Sequence, residues 1–123
     1  MAHFAKIENN IVKNVIVLKN QDCGGGDFPA SEAIGQAFIA SLGFAGQWLQ
    51  TSYNRSFRGQ YAGIGMEYST ALDCFHGPAP YPSWALQKDG TWKAPKPMPT
   101  DGQKYRWDEP TLEWVIIAAS LPT

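Results

Sequence analysis

Side chains that carry chemistry are scarce in this 123-residue chain, which has two cysteines, two histidines and a formal net charge of −1. Cys23 and Cys74 stand far apart, with no CxxC, no CxH and no third metal ligand nearby. That pattern is not a zinc framework, and it suits two unpaired thiols better than a disulfide. His76 lies two residues from Cys74, but residues at i and i+2 of a strand share a face without facing each other, so no Cys-His pair is expected. With only two histidines no Ser/His/Asp arrangement stands out, and neither an enzyme nor a cofactor is expected. The near-neutral charge lacks the basic footprint of general nucleic-acid binding. The apolar runs Val15–Leu18 and Val115–Ala119 fall far short of the ~20 residues that a membrane helix needs. The start, Met1 to Lys6, has no basic stretch before an apolar core, so no secretory leader is expected. Gly24-Gly25-Gly26 is followed by neither Gly-Lys-Ser/Thr nor GxGxxG, so it reads as a flexible loop, not a phosphate cradle.

Tryptophan is abundant instead. Of five, four lie in the last 40 residues, in two similar segments. Trp84 and Trp92 flank Gln87-Lys88-Asp89-Gly90, and Trp107 and Trp114 flank Asp108 to Glu113. Asp-Gly between strand-like runs is a strong hairpin signal, because Gly accepts the positive φ of a tight turn. Both pairs are expected to clasp across their hairpins. Six of the nine prolines fall between Gly77 and Thr100. Set at alternate positions in Pro78-Ala79-Pro80-Tyr81-Pro82 and again from Pro95 to Pro99, they predict two extended, semi-rigid straps.

The remainder predicts a mainly β, α+β fold of antiparallel hairpins with one short helix. Phe4–Ile7 and Ile11–Leu18 form a hairpin about Glu8-Asn9-Asn10, since Asn tolerates left-handed backbone. Strict alternation puts Ile11, Lys13, Val15 and Val17 on one face and Val12, Asn14, Ile16 and Leu18 on the other. Neither face is cleanly polar, so a central strand is expected. Asn20 to Asp27 reads as loop. Ser31 to Leu42 reads as the helix, with Ser31 as N-cap, Glu32 at the positive end of the dipole and Gly43 as the stop. Its predicted buried face is Ile34, Ala37, Phe38 and Leu42, with Gly35 a weak point. Gln47–Ser52 is a strand, Asn54–Gln60 a loop, and the stretch to Tyr68 ends in a short strand that Ala71–Phe75 can pair with. The composition divides residues 1–76, a β-rich core with one helix, from the Pro-rich residues 77–123, though one compact domain is expected at this length.

Two aromatic-rich stretches invite a binding reading. Tyr53, Arg55, Phe57, Arg58 and Tyr61 interleave rings with cations, as single-strand nucleic-acid platforms do. An ordinary loop whose arginines meet rings or carboxylates accounts for them better, given the lack of other basic surface. In the C-terminal segment, Tyr81, Trp84, Trp92, Tyr105, Trp107 and Trp114 serve either as clasped core or as an exposed ladder for a protein or glycan. Val115, Ile116 and Ile117 add an apolar edge that a partner sheet can extend.

The ordered series Met1-Ala2-His3-Phe4-Ala5-Lys6, Trp48 to Asn54, Phe57-Arg58, Tyr61 to Gly65, Pro80 to Trp84 and Asp101 to Glu109 resembles a family of small virion structural proteins of tailed phages that infect cyanobacteria and other marine bacteria. The resemblance runs from residue 1 to about residue 116. It implies a non-enzymatic virion component, made in the host cytoplasm, that binds other virion proteins in multiple copies. The first expectation is a decoration or cement protein of the head, partnered with the major capsid protein. The alternative is a tail-fibre or baseplate module that recognises host glycan. Neither nucleic acid nor membrane is an expected partner.

Overall fold

The computed structural model describes residues 1–117, and it is mainly β, with antiparallel sheets and one α-helix. The chain forms two compact units, Met1–Pro78 with Gln87–Thr91, and Ala79–Leu86 with the residues from Trp92 onward.

The first unit is built on a five-stranded antiparallel sheet. Strands β1 (Ala2–Glu8) and β2 (Ile11–Leu18) form its opening hairpin. Asn9 and Asn10 make the turn with φ of 52° and 63°. Both turn residues being left-handed matches the right-handed twist of the flanking strands. Between Lys6 and Ile7 the register shifts, so that Lys6 faces Asn14 but Ile7 faces Val12. Lys13 is the extra residue of a β-bulge. The bulge overturns the strict alternation expected of β2: Val12 and Val15 share one face, and Ile16 and Leu18 share the other. β3 (Gln47–Thr51) pairs with the other edge of β1, and β4 (Glu67–Ser69) with β5 (Cys74–His76) completes the order β3-β1-β2-β4-β5. β2 is central only at its start, because β4 meets it at Ile11 alone.

Each face of the sheet carries an apolar cluster. One joins Ala2, Phe4, Leu18, Cys23, Ile39 and Trp48 beneath α1 (Ala30–Ser41). The other joins Ala5, Ile7, Val12, Leu49, Ala62 and Phe75. Strand β1 is therefore covered on both sides, and Phe4 and Ala5 are fully buried.

The helix lies on its sheet one position away from the face expected for it. Ser31, Gly35 and Ile39 are buried and Phe38, as expected, packs partly buried against the same cluster, whereas Ala37 is exposed and Ile34 and Leu42 are about half exposed. Gly35 is the reason. A Cβ there would stand 2.7 Å from Phe4 Cε1, closer still to Phe4 Cζ, and 3.1 Å from Cys23 Sγ. The residue that weakens the helix intrinsically is the one that lets it seat on Phe4. Ser31 is no cap either; the N-cap is Pro29, and Ser31 Oγ donates 2.7 Å to Gln50 Oε1 of β3. Gly43, with φ of 88°, ends the helix as expected. The segment expected as plain loop from Asn20 holds a 3-10 turn, Asn20–Cys23, closed by left-handed Gly24.

The second unit contains two two-stranded antiparallel ribbons. β6 (Ala85–Leu86) pairs with β7 (Trp92–Lys93), and β8 (Tyr105–Asp108) with β9 (Glu113–Ile116). The Asp89-Gly90 turn, whose residues belong to the first unit, is present, with Gly90 at φ 80° and its N–H bonded to Gln87 O. Of the apolar run Val115–Ala119, residues 118 and 119 lie outside the described residues.

Candidate partner-binding site

In the second unit Trp107 and Trp114 face each other directly across β8 and β9, their rings 5.2 Å apart and edge to face. That clasp is as expected. Trp84 and Trp92 are not cross-strand partners: Trp92 stands opposite Leu86, and Trp84, just before its ribbon, packs on Trp107 and Trp114, each 6.0 Å away, with Tyr81 at 5.6 Å. A two-residue ribbon ends before Trp84, so its indole is recruited by the larger aromatic surface nearby. Edge-to-face geometry sets the positive ring edge against a neighbour's negative face, stabilising each pair by roughly 0.5–1.5 kcal/mol beyond area burial.

Carboxylates hold this cluster. Glu109 accepts from Trp107 Nε1 at 2.8 Å and from the Oγ and N–H of Ser83 at 2.7 and 3.1 Å, so it ties the first strap to the β8–β9 turn. The bond from Trp107, then those from Ser83, hold the Glu109 carboxyl below its ordinary range. Trp114 Nε1 donates to Lys96 O at 2.7 Å, and the Lys96 ammonium meets Glu113, pinning the second strap to β9. Trp84 Nε1 is buried and has no hydrogen-bond partner among the described residues. Nothing in the sequence marked Glu109 as a hub, because its partner Ser83 lies 26 residues away.

Exposure divides the predicted binding residues. Trp107 is buried; Tyr81, Trp84, Trp92, Tyr105, Trp114 and Val115 are partly buried. Tyr105 and Ile116 are paired beside Trp107 and Trp114, so the four share one face of the ribbon. That face ends in Ile116, which is 51% exposed, and Ile117 follows at 46%. Each of β8 and β9 has a single neighbour in its sheet, leaving one open edge on either strand.

In the first unit the loop of interleaved rings and cations is organised around Arg58. Its guanidinium ion-pairs with Glu32, donates 2.9 Å to Asp73 and 3.1 Å to Gln50 O, and lies 5.1 Å over the Phe28 ring. Phe28 stacks face to face on Phe57 at 3.9 Å. Burial disfavours the Arg58 charge, but the bonds to Glu32 and Asp73 outweigh it and raise its pKa. Asp73 also accepts 2.5 Å from Tyr68 OH. Burial, then that bond, pushes Tyr68 up to about 12. The Asp73 carboxyl is itself held low: burial opposes its charge, and the bonds from Tyr68 and Arg58 more than compensate. An arginine engaged by two carboxylates does not offer its charge to a phosphate, so Arg58 acts as a brace between helix and sheet.

Cys23 and Cys74 are free and buried, and burial, with nearby acid charges second, raises both thiols. His76 is buried next to Cys74 on β5 and its Nδ1 lies 2.8 Å from Gly77 O. Among the described residues no three His, Cys, Asp or Glu side chains gather as metal ligands would, and no helix is long and apolar enough to cross a membrane. Comparison with protein-family models, curated proteins and solved structures finds no match to this chain.

Proposed function

We propose that this chain is a non-catalytic structural protein of a phage virion, docking in many copies on another virion protein, in the first instance as decoration of the head. The observation that supports docking is the end of the β8–β9 ribbon, where an aromatic face runs out into half-exposed Ile116 and Ile117. Isolated two-stranded ribbons are marginal in water, and an open apolar edge is normally covered or paired. A neighbouring sheet that adds a strand there gains main-chain hydrogen bonds and buries both isoleucines. Each contact is modest, but repetition on a symmetric shell multiplies its effect through effective concentration. The virion setting is supported by the chain-long series of motifs described above. The partner is the major capsid protein on this reading.

The test is incorporation. Ile116→Lys with Ile117→Lys keeps the ribbon's hydrogen bonding but charges its apolar end. Particles assembled with this variant should carry at least about tenfold less of the protein, the factor for ~1.4 kcal/mol lost per contact, while its melting temperature stays near that of the parent. Equal incorporation would refute the ribbon as the docking element. Gold labelling of intact particles then reads the location, and label on the tail in place of the head replaces decoration with a fibre or baseplate role.

A further inference from the structure

The first unit holds a cleft of about 830 Å³ where the start of β1, the end of β3 and the loops that follow β2 and β3 converge. This is the size range of small-molecule sites. Its aromatic lining comes from Phe28 and Phe57, stacked in parallel, and from Tyr53 and His3, whose rings stack at 5.8 Å. Tyr61 braces the second pair edge-on, 5.2 Å from Tyr53 and 5.4 Å from His3. Tyr53 is 67% exposed, an unusual position for a braced ring.

The polar lining is neutral in character. It includes Gln50, Ser52, Asn54 and Asn20, and Asp27 is its only charged side chain among the described residues. Burial, then the amino-terminal charge, lowers the pKa of His3. No lysine or arginine lines the space, and the amino terminus at Met1 is the one cation beside it among the described residues, so a phosphate or carboxylate meets no guanidinium or lysine ammonium there. Gln50 is 93% buried, and its Oε1 is taken by Ser31 Oγ. Its Nε2 has no acceptor among the described residues, yet it is not among the fully buried unpartnered atoms. The opening that Gln50 lines is this cleft, so a buried amide keeps a donor available to whatever enters. A ligand that covers this donor without offering an acceptor forfeits about one hydrogen bond, which favours an acceptor-bearing ligand.

Aromatic faces beside amides, a hydroxyl and one carboxylate match a ring that is apolar on its C–H face and carries hydroxyls able both to donate and to accept. We propose that this cleft binds a neutral sugar ring, with Tyr53 or Phe57 stacking on it, Gln50 Nε2 donating to one hydroxyl and Asp27 accepting from another. The site belongs to the first unit and is independent of the docking ribbon.

The experiment is a ¹H–¹⁵N titration of the full chain with glucose, galactose, mannose and N-acetylglucosamine, each to tens of millimolar, with inorganic phosphate and adenosine in parallel. At least one sugar should produce saturable shifts confined to the Gln50 side-chain amide and the Ser52–Asn54 backbone, with the millimolar dissociation constant of a single small ring. Tyr53→Ala should weaken it about tenfold with the rest of the spectrum unchanged, as suits a mostly exposed side chain. Asp27→Asn supplies a second variant, expected to weaken the same sugar. Four sugars without effect on the cleft, shifts at the Trp84, Trp107 and Trp114 indoles instead, or unchanged affinity in both variants would each overturn the proposal. Binding of adenosine or phosphate in the cleft without any sugar would overturn it in favour of a nucleobase or an anion.

Discussion

The two units of this chain solve the same stability problem with different materials. The first buries apolar surface on both faces of a sheet, and Phe4, Ala5, Val12 and Phe75 are completely removed from water. The second has one buried tryptophan among the described residues, Trp107, and is assembled from edge-to-face indoles, extended straps and carboxylates that accept from indole, hydroxyl and backbone donors. Removing apolar surface from water is non-directional and proportional to area. Hydrogen bonds to carboxylates and ring contacts are directional and depend on the charge state of the acceptor. The first unit should therefore respond to lost volume, and the second to lost geometry and to pH.

The largest expected effect is Phe75→Ala. It removes a fully buried ring from the cluster that backs β1 and should destabilise the first unit by about 3–5 kcal/mol, measured by denaturation followed at β1 amides. A loss below about 1 kcal/mol would mean that this face of the sheet is not core, and the contrast would fail. Glu32→Ala comes next. It strips Arg58 of one of its two carboxylates and leaves the Gln50 N–H without its acceptor at 2.8 Å. Breaking a buried pair typically costs about 3–5 kcal/mol, and because Asp73 still engages Arg58 we expect roughly 2–3. Gly35→Ala is smaller: overpacking against Phe4 costs about 1–3 kcal/mol, and the ~1 kcal/mol gained in helix propensity offsets part of it. A stabilised Gly35→Ala variant would show that the helix seat is loose.

Titration sharpens the comparison at the low end. The Glu109 carboxyl is depressed by the Trp107 N–H and by Ser83. A depressed carboxylate contributes stability above its ordinary range and loses it as pH falls through its folded value. Acid should thus shift the Trp107 indole resonance below the ordinary glutamate range, and Glu109→Gln should abolish that step. In the first unit Tyr68, pushed up to about 12, works in the opposite sense. Its contribution is whole below the ordinary tyrosine value and fades as pH rises toward 12, so its phenolate absorbance should appear only well above the ordinary tyrosine range. Tyr68 titrating at an ordinary value would remove the Asp73 bond from the account.

Local pattern carried the reading of this chain as far as local forces reach. The Asn9-Asn10 hairpin, the Asp89-Gly90 turn, the stop at Gly43 and the Trp107–Trp114 pair are all set within a few residues of one another. Where two distant segments had to be weighed, pattern alone failed. The helix face came out one position away because Gly35 was scored for its own propensity and not for the Phe4 ring it admits. The faces of β2 were misassigned beyond Lys13 because a bulge changes the period without changing composition. Trp84 was assigned to the nearer tryptophan in sequence, whereas it packs against the larger aromatic surface. The cleft of the first unit was not foreseen, since its walls are drawn from three separated stretches.

The sequence by itself determined the class of fold, the opening hairpin, the single helix and the change from an apolar core to proline and tryptophan near residue 77. Periodicity, turn residues and composition act over a few residues, and each is legible in order along the chain. Only the tertiary structure decided that Arg58 is neutralised by Glu32 and Asp73, 26 and 15 residues away, that Glu109 gathers Ser83 and Trp107, and that Gln50 lines an open cleft. Each of these depends on which charges and donors meet after folding, and the energy of such a meeting falls with distance in space, which separation along the chain does not measure.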